Sequence, residues 1–342
     1  MTQPRISAVI PCYNAARFLD ESIRSILSQT RPPDEVIVVD DGSTDDSAAI
    51  ARRSGVTCIS LRTNSGPGAA RNRGISAATG DMIAFLDADD HWSPTHIEEV
   101  ASLLARYPES PVAFSRIRKF GKDDTISPSS LPEGAPQYLF WQLIEENIVA
   151  QSTAVVRRAT LQAHGCYNET RRYSEDYELW LRLARHHPFV CTNAITAGYR
   201  VHPMQASSNV ENMLAGRWRV KHQLWQDAKS TESGSFVDQL EQRMLKAWQA
   251  TLDKAWWERD RTQFLAALEL HELVPRSGAS FRRWTRHFRW VWKPWLVLSD
   301  IWDRMPEPTR AVVRPALTAA LEPRRERASP ADYPLGPRES DL

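Results

Sequence analysis

Paired cysteines are missing from this sequence. Its four, Cys12, Cys58, Cys166 and Cys191, are scattered without a repeated spacing. That excludes a disulfide framework and a zinc knuckle and fits a reduced compartment. An excess of either charge is missing too: Lys and Arg number 43, Asp and Glu 42, for a formal net charge of +1. No global field points to nucleic acid or to an acidic partner, so any electrostatic specialisation must be local. Long apolar runs are lacking as well. The run near the start, Ile6–Ile10, stops at Pro11, too short for a signal peptide, and nothing approaches a membrane span of about 20 residues. A cytoplasmic protein is expected. Several catalytic signatures are also absent. No G-x-G-x-x-G follows the first apolar run, as a nicotinamide dehydrogenase needs. The residues there, Pro11-Cys12-Tyr13-Asn14, are not the glycine- and lysine-rich loop of a sugar nucleotidyltransferase. No Ser-His-Asp or Cys-His set stands out for nucleophilic catalysis.

What is there begins with a globular composition, 42% hydrophobic and 25% charged over 342 residues. One large domain plus an extension is expected. The first hundred residues alternate strand and helix signals. Apolar strands are predicted at Ile6–Ile10, Glu35–Val39, Cys58–Leu61 and Met82–Leu86, with a small-residue helix over Pro67–Ala78. Buried strands separated by helices predict an α/β fold, a Rossmann-like, mostly parallel sheet with helices on both faces. Ligands bind such sheets at the carboxyl ends of the strands. Tyr13, Asn14, Asp40, Asp41 and the aspartates at 87–90 are therefore expected on one rim. A polar loop is expected from about Arg116 to Pro136.

Residues 209–273 read as helical, with Val237, Leu240, Met244, Trp248, Leu252 and Trp256 at steps of three and four. Most of the 13 tryptophans lie after residue 215. From Phe281 to Trp295, one stripe holds Phe281, Trp284, Phe288, Val291, Trp292 and Trp295, while Arg282, Arg283, Arg286, Arg289 and Lys293 face away from it. Such a helix reads either as an in-plane anchor on an anionic membrane or as a packing stripe. The last thirty or so residues read as a disordered tail. The expected division is 1–205 (nucleotide half 1–115, acceptor half 116–205), a helical extension 206–310 and a tail 311–342.

Chemistry concentrates at the predicted strand ends. Asp87-Ala88-Asp89 ends a buried strand, where two carboxylates one residue apart can share a hard divalent cation, Mg²⁺ or Mn²⁺, and the phosphate oxygens it bridges. The bland alternative is a polar turn with Asp90 capping the helix near Ser93-Pro94. Asp40-Asp41 can accept a base N–H, and Ser43 or Asp45 can cap the next helix. Gly66-Pro67-Gly68 opens a helix whose free N–H groups, with a first-turn Arg71, would favour a phosphate. Glu175, Asp176 and Glu178 start another helix, either as dipole complements or with one acid projecting as a general base. Successive helical residues point about 100° apart, which puts Glu178 roughly 200° from Asp176, toward solvent. His202 follows a weak strand and alone reads as a structural histidine.

Order and spacing say more than any one motif. Val9-Ile10-Pro11-Cys12-Tyr13-Asn14, the Val-Asp-Asp-Gly-Ser-Thr-Asp stretch, Ala70-Arg71-Asn72 with Gly74, Asp87-Ala88-Asp89-Asp90, Glu175-Asp176 with Leu179-Trp180, and Tyr199-Arg200 with His202 form one series. It closely resembles the family 2 glycosyltransferases of GT-A fold, over residues 6 to about 203. The resemblance implies an inverting enzyme that moves a sugar from a nucleotide diphosphate donor, usually uridine-linked, to a saccharide or lipid-linked acceptor, with no nucleic acid partner. It implies that Pro11, Tyr13, Asp40 and Asp41 line the base pocket, that Arg71 lies near base and diphosphate, and that Asp87 and Ala88 sit on the ribose side. By the same resemblance Asp89 holds the metal, Asp176 is the base, Glu175 and Trp180 shape the acceptor pocket, and His202 lies near the diphosphate. With the helix at 281–302, the expected setting is the inner face of the cytoplasmic membrane. The alternatives are a sugar nucleotidyltransferase or a non-catalytic sugar-nucleotide binding module.

Overall fold

The computed structural model describes residues 3–121, 124–128, 131, 133–258 and 260–275. The helix expected at 281–302 and the tail lie outside the described residues. Chain order runs β1 Ile6–Cys12, α1 Leu19–Leu27, β2 Glu35–Asp40, α2 Ser47–Arg53, β3 Thr57–Ser60, α3 Pro67–Ala77, β4 Met82–Phe85, β5 His91–Trp92 and α4 His96–Arg106. It continues through β6 Val112–Gly121, β7 Ile126–Ser127, α5 Phe140–Glu145, β8 Val155–Arg157, α6 Arg158–Ala163, α7 Glu175–Ala184 and β9 Phe189–Val201 to α8 Val210–Thr231, α9 Gly234–Trp257 and α10 Arg261–Glu269.

Strands β3-β2-β1-β4 are parallel neighbours, and the sheet goes on through β8, β6, β9 and β5, with β7 on β6. Ile6, Ala8, Val9 and Ile10 of β1 have no exposed surface, as expected of a strand covered on both faces. The parallel half follows the sequence reading. The second half is mixed: β8 runs antiparallel to β4 and β6, β5 antiparallel to β9, and β6 and β9 are parallel. Helix α1 buries Leu19, Ile23 and Ile26, the four- and three-residue steps of an amphipathic stripe. Helix α3 lies so close to the sheet that a Cβ on Gly74 would stand 2.4 Å from Val9 Cγ1. Its small residues set that spacing.

The loop expected from Arg116 opens as strand. β6 continues to Gly121 and pairs with β7 in a hairpin. Its polar residues hid the strand because each finds a local partner: Arg116 Nε donates to the Pro128 carbonyl at 2.9 Å and Arg118 bonds Asp124, while Ile117 between them is buried. The helical extension takes the predicted form. Leu240, Met244, Trp248 and Leu252 of α9 are fully buried, and Asn209 caps α8 by accepting the Asn212 N–H. No helix among the described residues is long and apolar enough to cross a membrane.

Candidate active site

The ends of β1 and β2 are laced together. Asn14, at φ 49°, donates its N–H to Ser43 Oγ at 2.9 Å, and its side chain accepts the Thr44 N–H at 2.8 Å. Beside them Pro11 is half-buried and Tyr13 is 48% exposed, leaving an aromatic face open at the rim. The two acids differ. Asp40 accepts the Ser43 N–H at 3.0 Å on one oxygen, and its other oxygen has no partner among the described residues. Asp41 accepts the N–H groups of Ser65 and Gly66, each at 2.8 Å, on its two oxygens. Asp41 thus fixes the Ser65-Gly66 turn that leads into α3, ahead of the helix's own first N–H groups at Gly68 and Ala69.

Arg71 comes one turn later in the helix than the first-turn position expected of it. It lies in the second turn of α3 and is 4% exposed; Nη2 bonds Asp87 Oδ1 at 2.7 Å and Nη1 bonds Glu175 Oε1 at 2.6 Å. Its guanidinium is committed to two carboxylates, and its face lies over the Tyr167 ring, 5.4 Å from the centroid. A buried arginine held by two acids stays charged.

Three aspartates after β4 have three surroundings. Asp87 is held by Arg71, and its N–H donates to Ser152 Oγ at 3.2 Å. Ala88 is buried. Asp89 Oδ2 lies 3.0 Å from His202 Nε2, and Arg200 Nε bonds the Asp89 carbonyl at 3.0 Å. Burial raises the Asp89 carboxyl above its ordinary range, with nearby Asp87 adding and His202 opposing. Asp90 does not cap a helix. It is 1% exposed, accepting Ser152 Oγ–H at 2.5 Å and the Arg200 N–H at 3.0 Å. Burial first, then Asp89 and Asp87, push it well up. His202 stacks near Phe18, with centroids 4.7 Å apart, and its Nδ1 is buried without a partner. Ser152 was invisible in the sequence: it comes from a short turn 65 residues beyond Asp87, and only the topology brings it here.

Helix α7 starts at Ser174, a non-glycine residue at φ 60°. Such backbone strain is held in place by its surroundings and clusters at functional sites. Asp176, in the first turn, is half-buried with no side-chain partner among the described residues. Burial raises its carboxyl, opposed by Arg71, the Tyr177 N–H and Arg217. Glu175 is likewise raised by burial and opposed by Arg71. Two expectations fail here. Trp180 is fully buried and offers no surface to a ligand, because α7 turns it toward the core. Glu178 does not sit free in solvent: it bonds Arg182 at 2.9 and 3.0 Å, and Arg182 ties down the Cys166 carbonyl at 2.6 Å.

Arg71 thus joins the acid after β4 to the first turn of α7, and one rim carries open Tyr13, the Asp89–His202 pair and unpaired Asp176. This fold and rim define a nucleotide-sugar glycosyltransferase domain. The description "Glycosyl transferase family 2" matches residues 7–165. The chain is 30% identical over 210 residues to the Escherichia coli UDP-Glc:alpha-D-GlcNAc-diphosphoundecaprenol beta-1,3-glucosyltransferase WfaP, covering 60% of this chain and 80% of that protein. An uncharacterized glycosyltransferase of Rickettsia conorii, RC0461, is 34% identical over 189 residues, 54% of this chain and only 31% of that relative's length. The structure of S. aureus TarS 1-349 in complex with UDP-GlcNAc superposes with TM-score 0.59 at 18% identity, covering 80% of this chain and 82% of that one, which speaks for the fold. The chain belongs to glycosyl transferase family 2.

Proposed function

We propose that this enzyme moves a sugar from a uridine diphosphate donor to a hydroxyl of a saccharide or lipid-linked acceptor in one inverting displacement, in the synthesis of surface polysaccharide or glycolipid on the cytoplasmic side of a membrane. One observation carries the reading: Asp176 stands unpaired, with a raised carboxyl, in the first turn of α7 beside the Glu175 that Arg71 links to Asp87.

In this reading Asp176 takes the acceptor hydroxyl proton as that oxygen bonds the anomeric carbon. The carbon–oxygen bond to the diphosphate breaks on the opposite face, and the nucleotide leaves with the electron pair. Pro11, Tyr13 and Asp40 receive the base; Asp41 holds the loop to α3 and so shapes that pocket from behind. The chemistry of the Asp89 and His202 donors fits Mn²⁺ or Mg²⁺. Asp89, with the His202 imidazole 3.0 Å from its carboxylate, would hold such a cation; no cluster of three ligating side chains occurs among the described residues. A divalent cation there would neutralise charge on the leaving diphosphate.

Asp176→Asn keeps size and polarity and removes the basic lone pair. Sugar transfer is expected to fall by roughly 10²–10⁴-fold with donor affinity unchanged. Near-normal transfer, or a defect confined to donor binding, would refute the assignment.

A further inference from the structure

Helix α8 lies outside the strand-end rim, yet it packs on α7. The approach is close: a Cβ on Gly216 would stand 2.8 Å from Ser174 Oγ, and Asn212 Nδ2 donates to the Tyr173 hydroxyl at 3.3 Å. Gly216 therefore seats α8 against the turn that launches the Asp176 helix. The next residue, Arg217, is exposed and has no ion pair or hydrogen bond among the described residues. Its charge nonetheless acts on Asp176, on Tyr177 and on Lys221.

One turn further on, Lys221 is 6% exposed, with Nζ 4.5 Å from the Trp218 ring centroid and 6.0 Å from that of Tyr177. It too has no hydrogen bond or ion pair among the described residues. Glu145, the carboxylate whose charge reaches it, is already bonded by Arg243 at 2.6 Å and Lys246 at 3.1 Å. A buried ammonium without a counter-ion is strongly disfavoured. Here burial, together with Arg217, lowers the lysine to about 7. Two cations at i and i+4 share a helix face, and among the described residues no carboxylate pairs with either. An anion brought to this face would relieve both.

We propose that α8 supplies a phosphate-binding subsite on the acceptor side, with Arg217 as its outer cation and Lys221 as its inner one, and that a phosphate carried by the acceptor occupies it. The proposal rests on Asp176 marking the acceptor side. A phosphate there would tether the acceptor while its hydroxyl meets the base, which is how a remote group positions a reacting one. It also sets the acceptor class: a sugar phosphate or phosphodiester, and not a neutral glycan.

The test is a calorimetric titration of the full-length enzyme, already saturated with UDP and Mn²⁺, with α-D-glucose 1-phosphate and separately with inorganic phosphate. The sugar phosphate is expected to bind, and more tightly than inorganic phosphate, because its hydroxyls reach the Asp176 side as its phosphate meets α8. Arg217→Gln is expected to weaken both by roughly ten-fold or more, the scale of one charged hydrogen bond, with UDP affinity unchanged. Lys221→Met keeps the buried volume and is expected to weaken both while the melting temperature holds or rises. Absence of binding, or full binding by Arg217→Gln, overturns the subsite. Equal affinity for the two probes overturns the acceptor assignment in favour of a free anion. A Lys221→Met protein that melts lower yet binds normally makes that lysine structural and overturns its role. Failure of the base reading shows separately, as normal transfer by Asp176→Asn whatever the titrations give.

Discussion

Asp87, Asp89 and Asp90 look alike in sequence and do three jobs in the structure. Asp87 balances Arg71, Asp89 faces His202, and Asp90 is an internal brace between Ser152 and the Arg200 backbone. Alternating acids at a strand end signalled a site, and the first two aspartates keep part of their side chains open, 28% and 29%. Nothing local could separate Asp90 from them, because its partners arrive from 62 and 110 residues away. Its raised carboxyl has a defined consequence. An acid whose folded value lies above its unfolded one favours the protonated folded form, so its contribution to stability is present below the ordinary carboxylate range and lost as pH rises through the raised value. Asn at this position can accept the Arg200 N–H and never ionises. The melting temperature of Asp90→Asn relative to the parent is therefore expected to improve as pH rises above the ordinary carboxylate range, by differential scanning calorimetry of the metal-free protein. A difference that stays flat with pH would mean that Asp90 carries no buried charge. The same sign applies to Asp176 in catalysis: kcat/KM is expected to fall as pH drops through a value above the ordinary carboxylate range, since burial holds the base protonated longer.

At the level of elements, legibility followed burial. Strands covered on both faces gave continuous apolar runs, and β1, β2 and β4 lie where those runs are. β6 was lost in a presumed loop because its second half carries arginines that are satisfied by a hairpin that the sequence does not announce. Periodicity located the start of α3, yet it could not show that Asp41 from another strand end braces the turn just before it. The small residues of α3 let it pack closely on the sheet, and that closeness can be put to the test. Gly74→Ala places a methyl 2.4 Å from Val9 Cγ1, with Val9 itself fully buried, so helix and sheet must separate. Overpacking of this kind costs typically 1–3 kcal/mol, against a gain of roughly 0.5–1 kcal/mol for Ala over Gly inside a helix. Net destabilisation of about 1–2 kcal/mol in urea unfolding is expected. An unchanged or raised midpoint would show that α3 does not bear on β1 this closely.

Across the whole molecule one continuous sheet ties the parallel half to the mixed half, and His96 sits where α4, β5, β6 and β9 converge. The imidazole has no exposed surface, stacks on Trp92 with centroids 4.4 Å apart, and shares a 2.7 Å hydrogen bond with Thr196, which bonds Ser115 at 2.6 Å. Nε2 is buried without a partner among the described residues, so a second proton there would find no acceptor among them. Burial accordingly lowers this histidine from 6.5 to about 3. The unfolded chain takes up a proton below about 6.5 while the fold refuses it until far lower, so this contribution is whole above the unfolded value and lost as pH falls. The slope from one such group reaches about 1.4 kcal/mol per pH unit, large against the roughly 5–15 kcal/mol that holds a domain together. Acid sensitivity of the whole fold between pH 6.5 and 4.5 is therefore expected to trace mainly to a residue remote from the catalytic rim. His96→Gln keeps an amide within reach of Thr196 and cannot titrate. Whatever its stability at pH 7.5, the unfolding free energy of this variant is expected to decline less steeply over that window, by up to one proton's worth. Carboxylates common to both proteins cancel in the comparison, Glu35 and Asp45 with their lowered values included. Parallel pH profiles for the two proteins would move the origin of acid sensitivity elsewhere.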